Sequence, residues 1–274
     1  MVIIADSGST KTDWALVEKQ VIVKRVKTQG LNPVVADTEL MISEMRKVEV
    51  DSGVNISAIR FYGAGCKGQW SDKVRTALQT VFPQADEIEV HSDLLGAARA
   101  VCGHEPGIAC ILGTGSNSCL YDGREIVANV PPMGYIIGDE GSGAALGKLF
   151  INALYKGLLP VSMREDYLKW ASLTYDELIS RIYREPLANR FLASTSLYIC
   201  KHLDVEPLRH LVKENFRSFF RFQLHSYSRH DLPVGVVGSI GFCYQDILRE
   251  VAAEEGFTVG KICKEPLAGM VDFG

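Results

Sequence analysis

The 274-residue sequence lacks the cysteine pattern of a disulfide-bonded or metal-binding protein. Its seven cysteines are an odd number, and no two of them are spaced as C-x-x-C. We therefore expect reduced, mostly buried thiols rather than a disulfide framework or a zinc or iron–sulfur site made within one chain.

Long apolar runs and an excess of basic residues are also missing. No stretch approaches the roughly 18 apolar residues of a membrane span, and the amino terminus has no basic region of the secretory type. The 29 lysines and arginines stand against 33 aspartates and glutamates, which gives a net charge of −4. Such a chain has no overall positive field to attract nucleic acid. We predict a cytoplasmic protein that binds neither membranes nor nucleic acid.

The apolar pattern indicates an α/β protein built from two similar halves. Three short strands between residues 2 and 26 predict a meander, and alternating helices and strands follow, the first helix capped by Asp37. A second meander begins near Ile108. We predict domains at 1–107 and 108–274, the second with a helical insertion at about 164–230.

The two halves begin with a similar motif. Superposing Gly8 on Gly115 aligns Ile4–Thr10 with Ile111–Asn117, an apolar strand that runs into a glycine and hydroxyl residues both times. The match is short, so either an internal duplication or chance similarity explains it.

The first glycine turn, D-S-G-S-T-K-T-D from Asp6 to Asp13, follows an apolar strand. Glycine with hydroxyl neighbours lets successive N–H groups point at one anion, so the turn either binds phosphate or is an ordinary polar hairpin. A P-loop or a Rossmann turn is excluded because a strand follows, not a helix. Asp6 is suited to hold hydrated Mg²⁺ against nucleotide phosphates, while Thr10 and Lys11 add a hydroxyl and a cation.

Two more glycine turns occur later in the chain. The segment Gly113–Asn117 offers similar N–H donors without a carboxylate or a cation, and two such hairpins facing each other would grip a polyphosphate. Gly238 and Ser239 join a strand to a predicted helix that runs to about Glu255. That junction permits close approach to a flat ligand, and it is also common in α/β proteins.

Polar residues beside predicted helix starts are candidates for chemistry. Asp93 follows an apolar strand, where it acts either as a helix N-cap or as a general base facing a ligand. Asp139 and Glu140 lie between glycines before a helix that we expect Ser142 to cap. They either orient a ligand or stabilise the start of the helix through its dipole. Asn32 either binds a sugar hydroxyl or forms an Asx turn.

Five motifs in this order, D-S-G-S-T-K-T-D-W, H-S-D-L-L-G-A-A, I-L-G-T-G-S-N-S, G-D-E-G-S-G-A-A-L-G and G-S-I, resemble one known group. They are similar to the N-acetylglucosamine kinase-like branch of the BadF/BadG/BcrA/BcrD-type ATPases, within the actin/Hsp70/sugar-kinase superfamily. The resemblance extends from Asp6 to Gly269. It implies two ribonuclease-H-like (actin-like ATPase) domains, each a mixed sheet headed by a three-stranded antiparallel meander, with ATP and Mg²⁺ in a cleft between them. It also implies a homodimer.

The resemblance further implies an ATP-dependent kinase for the primary hydroxyl of an amino-sugar, N-acetylglucosamine being the expected acceptor and its 6-phosphate the product. Asp93 matches the catalytic base, and Asp6 would hold Mg²⁺ through water. Asn32, Asp93, Thr114, Asn117 and Asp139 match sugar-binding positions. The expected ATP-binding residues are Ser7, Gly8, Ser9, Thr10, Lys11, Thr12, Gly113, Thr114, Gly115, Ser116, Gly238 and Ser239.

Two other functions occur in the same superfamily. Activators of CoA-linked dehydratases and reductases share a [4Fe–4S] cluster between subunits and carry a Cys-His pair where this chain has His91–Leu94, so its absence disfavours an activator. A non-kinase ATP-binding protein of the actin/Hsp70 type is the other alternative.

Overall fold

A computed structural model gives the fold of residues 1–8, 10–51 and 53–274. These residues form two compact units. The first comprises Met1–Glu105, Asp122–Ile126 and Glu265–Gly274, and the second comprises Pro106–Tyr121 and Val127–Lys264. The chain therefore returns to the first unit for its last ten residues, whereas the sequence pattern predicts a single boundary at 107/108.

The first unit is a five-stranded mixed sheet with helices. Its elements are β1 (Val2–Ser7), β2 (Lys11–Glu18), β3 (Val21–Gln29), α1 (Thr38–Met45), β4 (Ala58–Gly63), α2 (Gln69–Val81), β5 (Ile88–Ser92), α3 (Asp93–Cys102) and α13 (Leu267–Phe273). The strand order is β3-β2-β1-β4-β5, in which β1, β2 and β3 are antiparallel and β4 and β5 run parallel to β1. The Asp37 side chain accepts from Leu40 N–H (2.7 Å) and caps α1, as predicted.

Both faces of this sheet are buried. Ile3 and Ala5 of β1 pack into the core that contains residues of α1 and α2, whereas Ile4 packs with Met270 of α13. Because successive side chains of a strand point to opposite faces, the continuous apolar run of β1 requires a helical layer on each side.

The second unit repeats a five-stranded mixed sheet and adds a large set of helices. Its elements are β6 (Gly107–Leu112), β7 (Ser116–Tyr121), β8 (Ile126–Ala128), α4 (Gly134–Ile137), α5 (Gly143–Tyr155), α6 (Val161–Ala171), α7 (Tyr175–Tyr183), α8 (Ala188–Ser194), α9 (Ser196–Ile199), α10 (Glu206–Phe219), β9 (Pro233–Val237), α11 (Ser239–Cys243), α12 (Gln245–Glu254) and β10 (Thr258–Cys263). The strand order is β10-β9-β6-β7-β8. No helix among the described residues is long and apolar enough to cross a membrane.

The two sheets share one topology, which favours the duplication over chance. The residue alignment predicted for it is wrong by two positions. Ser7 pairs with Thr12 across the first turn, and Leu112 pairs with Ser116 across the second, so Gly8 corresponds to Gly113. The second turn is one residue shorter than the first. Similarity between two short sequence segments does not show how the residues of their strands pair.

The carboxyl-terminal elements differ from the sequence-based prediction. The helix expected from Gly238 to about Glu255 is interrupted at Tyr244 and forms α11 and α12. Strand β10 was not predicted because it pairs only with β9 at the sheet edge and has no fully buried residue to mark its pattern.

Candidate active site

Buried hydroxyl groups hold the first glycine turn. The Ser7 and Thr12 hydroxyls lie 2.8 Å apart and are fully buried. Ser7 Oγ also accepts from Leu31 N–H (3.1 Å), and Thr12 Oγ1 donates to the Gln29 carbonyl (3.1 Å). These hydroxyls are used within the turn, and ATP binding by Ser7 and Thr12 stays a prediction. Ser9, also predicted to bind ATP, lies outside the described residues.

Gly8 and Thr10 lie at the tip of the same hairpin. Gly8 N–H donates to the Lys11 carbonyl (3.0 Å), and the Thr10 carbonyl accepts from Gly30 N–H (3.0 Å). The Gly8 N–H is therefore used within the turn, whereas the Thr10 side chain is exposed and accessible to a ligand.

Asp6 and Asp13 lie opposite each other on β1 and β2. Asp13 is nearly buried and forms ion pairs with Lys11 (2.7 Å) and Lys27 (3.7 Å). Burial, followed by the charges of Asp93 and Asp13, raises the pKa of Asp6 to about 7. A divalent cation beside Asp6 would favour its charged form at neutral pH.

Lys11 is held between two carboxylates. Its Nζ lies 2.7 Å from Asp13 Oδ2 and 2.8 Å from Glu265 Oε1. Partial burial disfavours the charge on Lys11, but the hydrogen bonds to both carboxylates outweigh it and raise the pKa. Sequence reasoning singled out Lys11 and missed Glu265, which is 254 residues away and has no local signal.

Replacing Asp6 with asparagine should stabilise the ligand-free protein at pH 8 by on the order of 2 kcal/mol. Because the folded pKa is about 7 and the ordinary value is 3.8, the native state keeps a proton that the unfolded chain releases between these values. Native stability therefore falls as pH rises through this window, and asparagine avoids that loss. Urea unfolding should show a clear gain for Asp6→Asn at pH 8 and little difference at pH 4; equal gains at both pH values would contradict the prediction.

A glycine-rich loop after β4 contacts both the first turn and Asn32. Ala64 N–H donates to the Ser7 carbonyl (2.8 Å). Gly65 has φ +79°, and a Cβ there would lie 2.5 Å from Asn32 Oδ1. Asn32 Oδ1 accepts a hydrogen bond from Val34 N–H (3.0 Å). Asn32 therefore forms an Asx turn, one of the two roles considered for it in the sequence. Sugar binding by Asn32 stays a prediction, and the glycines of this loop were the signal that sequence reasoning left unassigned.

Asp93 begins α3 directly after β5. Ser92 caps the helix, since its Oγ accepts from Leu95 N–H (3.3 Å), so the N-cap interpretation of Asp93 is wrong. Asp93 Oδ1 accepts from Leu94 N–H (2.9 Å). Burial raises the pKa of Asp93, and that hydrogen bond and the charge of Lys67 oppose the rise. The carboxylate is therefore a stronger base than an ordinary aspartate.

The second glycine turn is fastened to helix α5. Gly113 N–H donates to the Gly115 carbonyl (3.0 Å). The carbonyls of Gly113 and Thr114 accept from Gly143 N–H (2.8 Å) and Ala144 N–H (3.1 Å). The backbone of the turn is therefore held in place by hydrogen bonds, while the Thr114 side chain is exposed.

The carboxylate of Asp139 lies against this second turn. Asp139 has φ +56° and is nearly buried, and a Cβ on Gly115 would lie 2.9 Å from Asp139 Oδ2. Burial raises the pKa of Asp139, while a hydrogen bond from Ser116 N–H opposes the rise. A residue outside the segment Gly113–Asn117 therefore supplies a carboxylate beside the second turn.

Ser116 and Asn117 are the first residues of β7. Ser116 Oγ is buried and has no hydrogen-bond partner within the part of the chain that the structure describes. Asn117 Oδ1 accepts from Ser118 N–H (2.9 Å) and from Asn129 Nδ2 (2.9 Å). Since an unpartnered buried hydroxyl is costly, a polar ligand at Ser116 would remove that cost.

Close backbone packing explains the glycine of the third turn. Gly238 has φ +121°, and a Cβ there would lie 2.3 Å from the Leu112 carbonyl oxygen. Its N–H donates to the Cys263 carbonyl (2.9 Å). The turn thus lies beside the end of β6, and Ser239 is exposed. The expected approach of Gly238 and Ser239 to adenosine stays a prediction.

The described residues contain no group of three or more His, Cys, Asp or Glu side chains arranged to hold a metal ion. A magnesium ion bound to a nucleotide has a different requirement, because phosphates and waters supply most of its ligands and the protein adds one or two carboxylates. The single hard oxygen donor group of Asp6 fits that requirement.

Solved structures of other proteins share this fold. MreB 5 of Spiroplasma citri, determined with bound AMPPNP, matches with a TM-score of 0.59 at 10% identity over 99% of this chain and 94% of that chain. At that identity the likeness shows the fold alone, which is the two-domain actin-like ATPase fold expected above.

Two further matches are proposed N-acetylglucosamine kinases, and the first of them shows the family. A proposed N-acetylglucosamine kinase from Porphyromonas gingivalis is 44% identical, with a TM-score of 0.96 over 100% of this chain and 98% of that chain. Another from Chromobacterium violaceum is 18% identical, with a TM-score of 0.77 over 99% and 98%, and supports the fold. This chain belongs to the N-acetylglucosamine kinase-like family. No family model and no curated protein sequence matches it.

Proposed function

We propose that this protein is an ATP-dependent kinase that phosphorylates the primary hydroxyl of N-acetylglucosamine or a closely related amino-sugar, giving the 6-phosphate. The observation that carries the proposal is the position and the raised basicity of the Asp93 carboxylate. Its carboxylate lies at the carboxyl end of β5, is not used as the helix cap, and has a pKa raised by burial. The 44%-identical relative, itself a proposed N-acetylglucosamine kinase, supports the same reaction.

Asp93 acts as the general base in this proposal. The sugar oxygen attacks the γ-phosphorus of ATP, the bond from that phosphorus to the bridging oxygen breaks, and ADP leaves. Asp93 accepts the hydroxyl proton as the new bond forms, a role that a more basic carboxylate fills better. Ser92 supports the reaction indirectly, because its capping of α3 leaves Asp93 available.

Backbone and side-chain groups of both glycine turns bind phosphate oxygens in this proposal. Thr10 is exposed at the first turn, and Lys11 supplies a cation whose charge is maintained by two carboxylates. At the second turn, Ser116 offers a buried hydroxyl that lacks a partner within the described residues. Gly238 and Ser239 approach the adenosine.

Amino-sugar recognition is assigned to Asn32, Thr114, Asn117 and Asp139 together with Asp93. Hydroxyl, carboxamide and carboxylate groups of this kind satisfy sugar hydroxyls and an acetamido group through hydrogen bonds. Asp139 is held rigidly, since its backbone is fixed by bonds to Pro132 and Ser142 and its carboxylate by Ser116 N–H.

Magnesium bound to ATP would offset part of the phosphate charge during transfer. We assign Asp6 to hold that ion through water, and Asp6→Asn should then weaken binding of Mg²⁺·ATP by about tenfold, the effect of losing a charged hydrogen-bonding partner. With EDTA present the same variant should bind free ATP at least as well as wild type, because a negative charge has been removed.

Calorimetric titration in Mg²⁺ and in EDTA measures both effects. Asp72→Asn is the matched control, since its side chain is 71% exposed on α2 in the same unit. Equal affinity of wild type and Asp6→Asn in Mg²⁺ would remove Asp6 from the magnesium site.

The proposed reaction is tested by coupled ADP release over a panel of hexoses and amino-sugars. We expect turnover that depends on a free primary hydroxyl and is greatest with N-acetylglucosamine, and we expect phosphate at that hydroxyl by mass spectrometry. ADP release that ignores the sugar would instead indicate a non-kinase ATPase. A visible absorption band near 400 nm in anaerobically purified protein would indicate an iron–sulfur activator.

Two finer predictions belong to the same proposal. The family resemblance supports a homodimer, which light scattering would detect. Dependence on ATP and the reduced thiols expected from the sequence support action in the cytoplasm.

A further inference from the structure

The side chains of two asparagines meet beside the second glycine turn. Asn117 is the second residue of β7, and Asn129 directly follows β8, the neighbour of β7 at the edge of the sheet. Asn129 Nδ2 donates to Asn117 Oδ1 (2.9 Å) and to the Ser118 carbonyl (2.7 Å). Both asparagines are partly buried and belong to the second unit.

Backbone groups determine which way each carboxamide faces. Ser118 N–H can only donate, so the Asn117 atom 2.9 Å from it is the oxygen. The Ser118 carbonyl can only accept, so the Asn129 atom that meets it is the nitrogen. Both hydrogen bonds that the Asn117 side chain forms with described residues are therefore at Oδ1, and its Nδ2 hydrogens are left for a ligand.

A buried polar network holds Asn129 in place. On the next residue, Val130 N–H donates to the Tyr227 hydroxyl (3.1 Å), which lies 2.8 Å from Ser118 Oγ. Ser118 and Tyr227 are both buried. Ser118 is thus linked to this segment twice, through its carbonyl and through its hydroxyl. The carboxamide of Asn129 is therefore held by groups that are themselves fixed by hydrogen bonds.

We propose that Asn129 is a positioning residue, which fixes the Asn117 carboxamide so that Asn117 Nδ2 donates to an acceptor oxygen of the sugar. The inference rests on the sugar-kinase function proposed above, in which Asn117 binds the sugar. A donor that is already fixed loses less freedom on binding than a mobile one. It also selects its ligand, because a hydroxyl or carbonyl oxygen accepts its hydrogen bond and a protonated amine does not.

Asn129→Ala should raise the KM for the sugar by about five- to tenfold. The Asn117 carboxamide is then held at one point, by Ser118 N–H, instead of two. The kcat and the KM for ATP should stay within about twofold of wild type, since the weakened contact is made equally before and during phosphoryl transfer. Coupled ADP release, with the sugar and ATP varied in turn, measures all three constants.

A double-mutant cycle shows whether Asn129 acts through Asn117. Asn117→Ala should itself raise the sugar KM by about tenfold. Adding Asn129→Ala should then change the KM by less than about twofold, because no carboxamide remains to be positioned. Independent effects of the two substitutions, which multiply in the double variant, would overturn the proposal.

Asn117→Asp tests the direction of the hydrogen bond to the sugar. The carboxylate keeps an acceptor oxygen for Ser118 N–H and Asn129 Nδ2 but has no hydrogen to donate. The sugar KM should rise by about 10²-fold, more than for Asn117→Ala, because a negative charge then faces an acceptor oxygen. A sugar KM for Asn117→Asp at or below the wild-type value would count against the assigned direction and overturn the proposal.

Tyr227→Phe is the matched control for a purely structural effect. It removes the hydroxyl that contacts Val130 N–H and Ser118 Oγ, so it should lower the melting temperature, as Asn129→Ala does. Its sugar KM should stay within about twofold of wild type, because the Asn117 carboxamide keeps both of its hydrogen bonds. Equal rises in the sugar KM for both variants, or no rise for Asn129→Ala, would overturn the proposal.

Failure of the proposed function gives a different result. Calorimetric titration of wild type with the sugar panel measures sugar binding without turnover. Neither sugar binding nor sugar-dependent ADP release in wild type would overturn both proposals. Sugar binding without turnover would overturn the kinase alone, and the same variants are then compared by the Kd for the sugar. Sugar phosphorylation with an unchanged sugar KM in Asn129→Ala would overturn only the positioning role.

Discussion

Asp93→Asn is expected to reduce phosphoryl transfer to the sugar by about 10²- to 10⁴-fold while the affinity for ATP stays close to that of wild type. Asparagine keeps the size of the side chain and its acceptor for Leu94 N–H, but it cannot take the hydroxyl proton. The loss should appear in kcat and not in nucleotide binding, because Asp93 acts on the reacting hydroxyl.

Unfolding is the alternative cause of such a loss, and the structure argues against it. Burial raises the pKa of Asp93, so its charge is a cost in the folded state and a neutral amide should not lower stability. Equal melting temperatures of wild type and variant, with calorimetric binding of ATP, exclude that cause.

The pH profile gives an independent check. Because the base must be deprotonated and its pKa is above the ordinary value, wild-type kcat/KM should fall on the acidic side at a higher pH than an ordinary aspartate would give. Asp72→Asn should leave both rate and profile unchanged. Sugar phosphorylation by Asp93→Asn within tenfold of wild type would refute Asp93 as the base.

Gly147→Ala is expected to destabilise the protein by about 2–3 kcal/mol. Helix propensity alone predicts the opposite sign, a gain of about 1 kcal/mol, because Gly147 lies within α5 and alanine is the better helix former. A Cβ at this position would lie 2.2 Å from the Leu192 carbonyl oxygen and 2.7 Å from its carbon. Helices α5 and α8 must therefore move apart, and the packing between them is lost.

Chemical unfolding of the two variants Gly147→Ala and Asn152→Ala decides between propensity and packing. Asn152 lies on the exposed side of the same helix, where alanine should add about 0.5 kcal/mol. A gain in stability for both variants would show that α5 and α8 are not in the close contact described.

Local signals were sufficient for much of the fold. The Asp37 cap and the Ser142 cap are both present, since Ser142 Oγ accepts from Ala145 N–H (3.0 Å). Both meanders are present as well, because antiparallel strands joined by short turns are encoded by residues close together in the chain. Strand β10 and helix α13 were missed, because an edge strand and a helix of seven residues carry weak periodicity.

The candidate site was predicted in part for the same reason. Asp6, Lys11 and Asp93 each stand next to a strand end, where a local pattern marks them. Glu265 beside Lys11 has no such mark, since it lies far along the chain from the residue it contacts. The glycines of the loop at Gly65 are visible in the sequence, but no local pattern shows that this loop contacts Asn32. Whether Asp93 caps α3 or is free to act as a base was also undecidable from the sequence, because serine and aspartate both cap helices and Ser92 directly precedes Asp93.

The amino-acid sequence by itself determined the fold class, the duplicated meanders and the family, because apolar periodicity and short glycine motifs depend on neighbours a few residues apart. Only the tertiary structure decided which carboxylates surround Lys11, that Asp139 lies on the second turn, and that Gly147 has no room for a methyl group. Those properties arise from groups distant in the chain that packing brings together, and burial then changes the pKa of the carboxyls that it encloses.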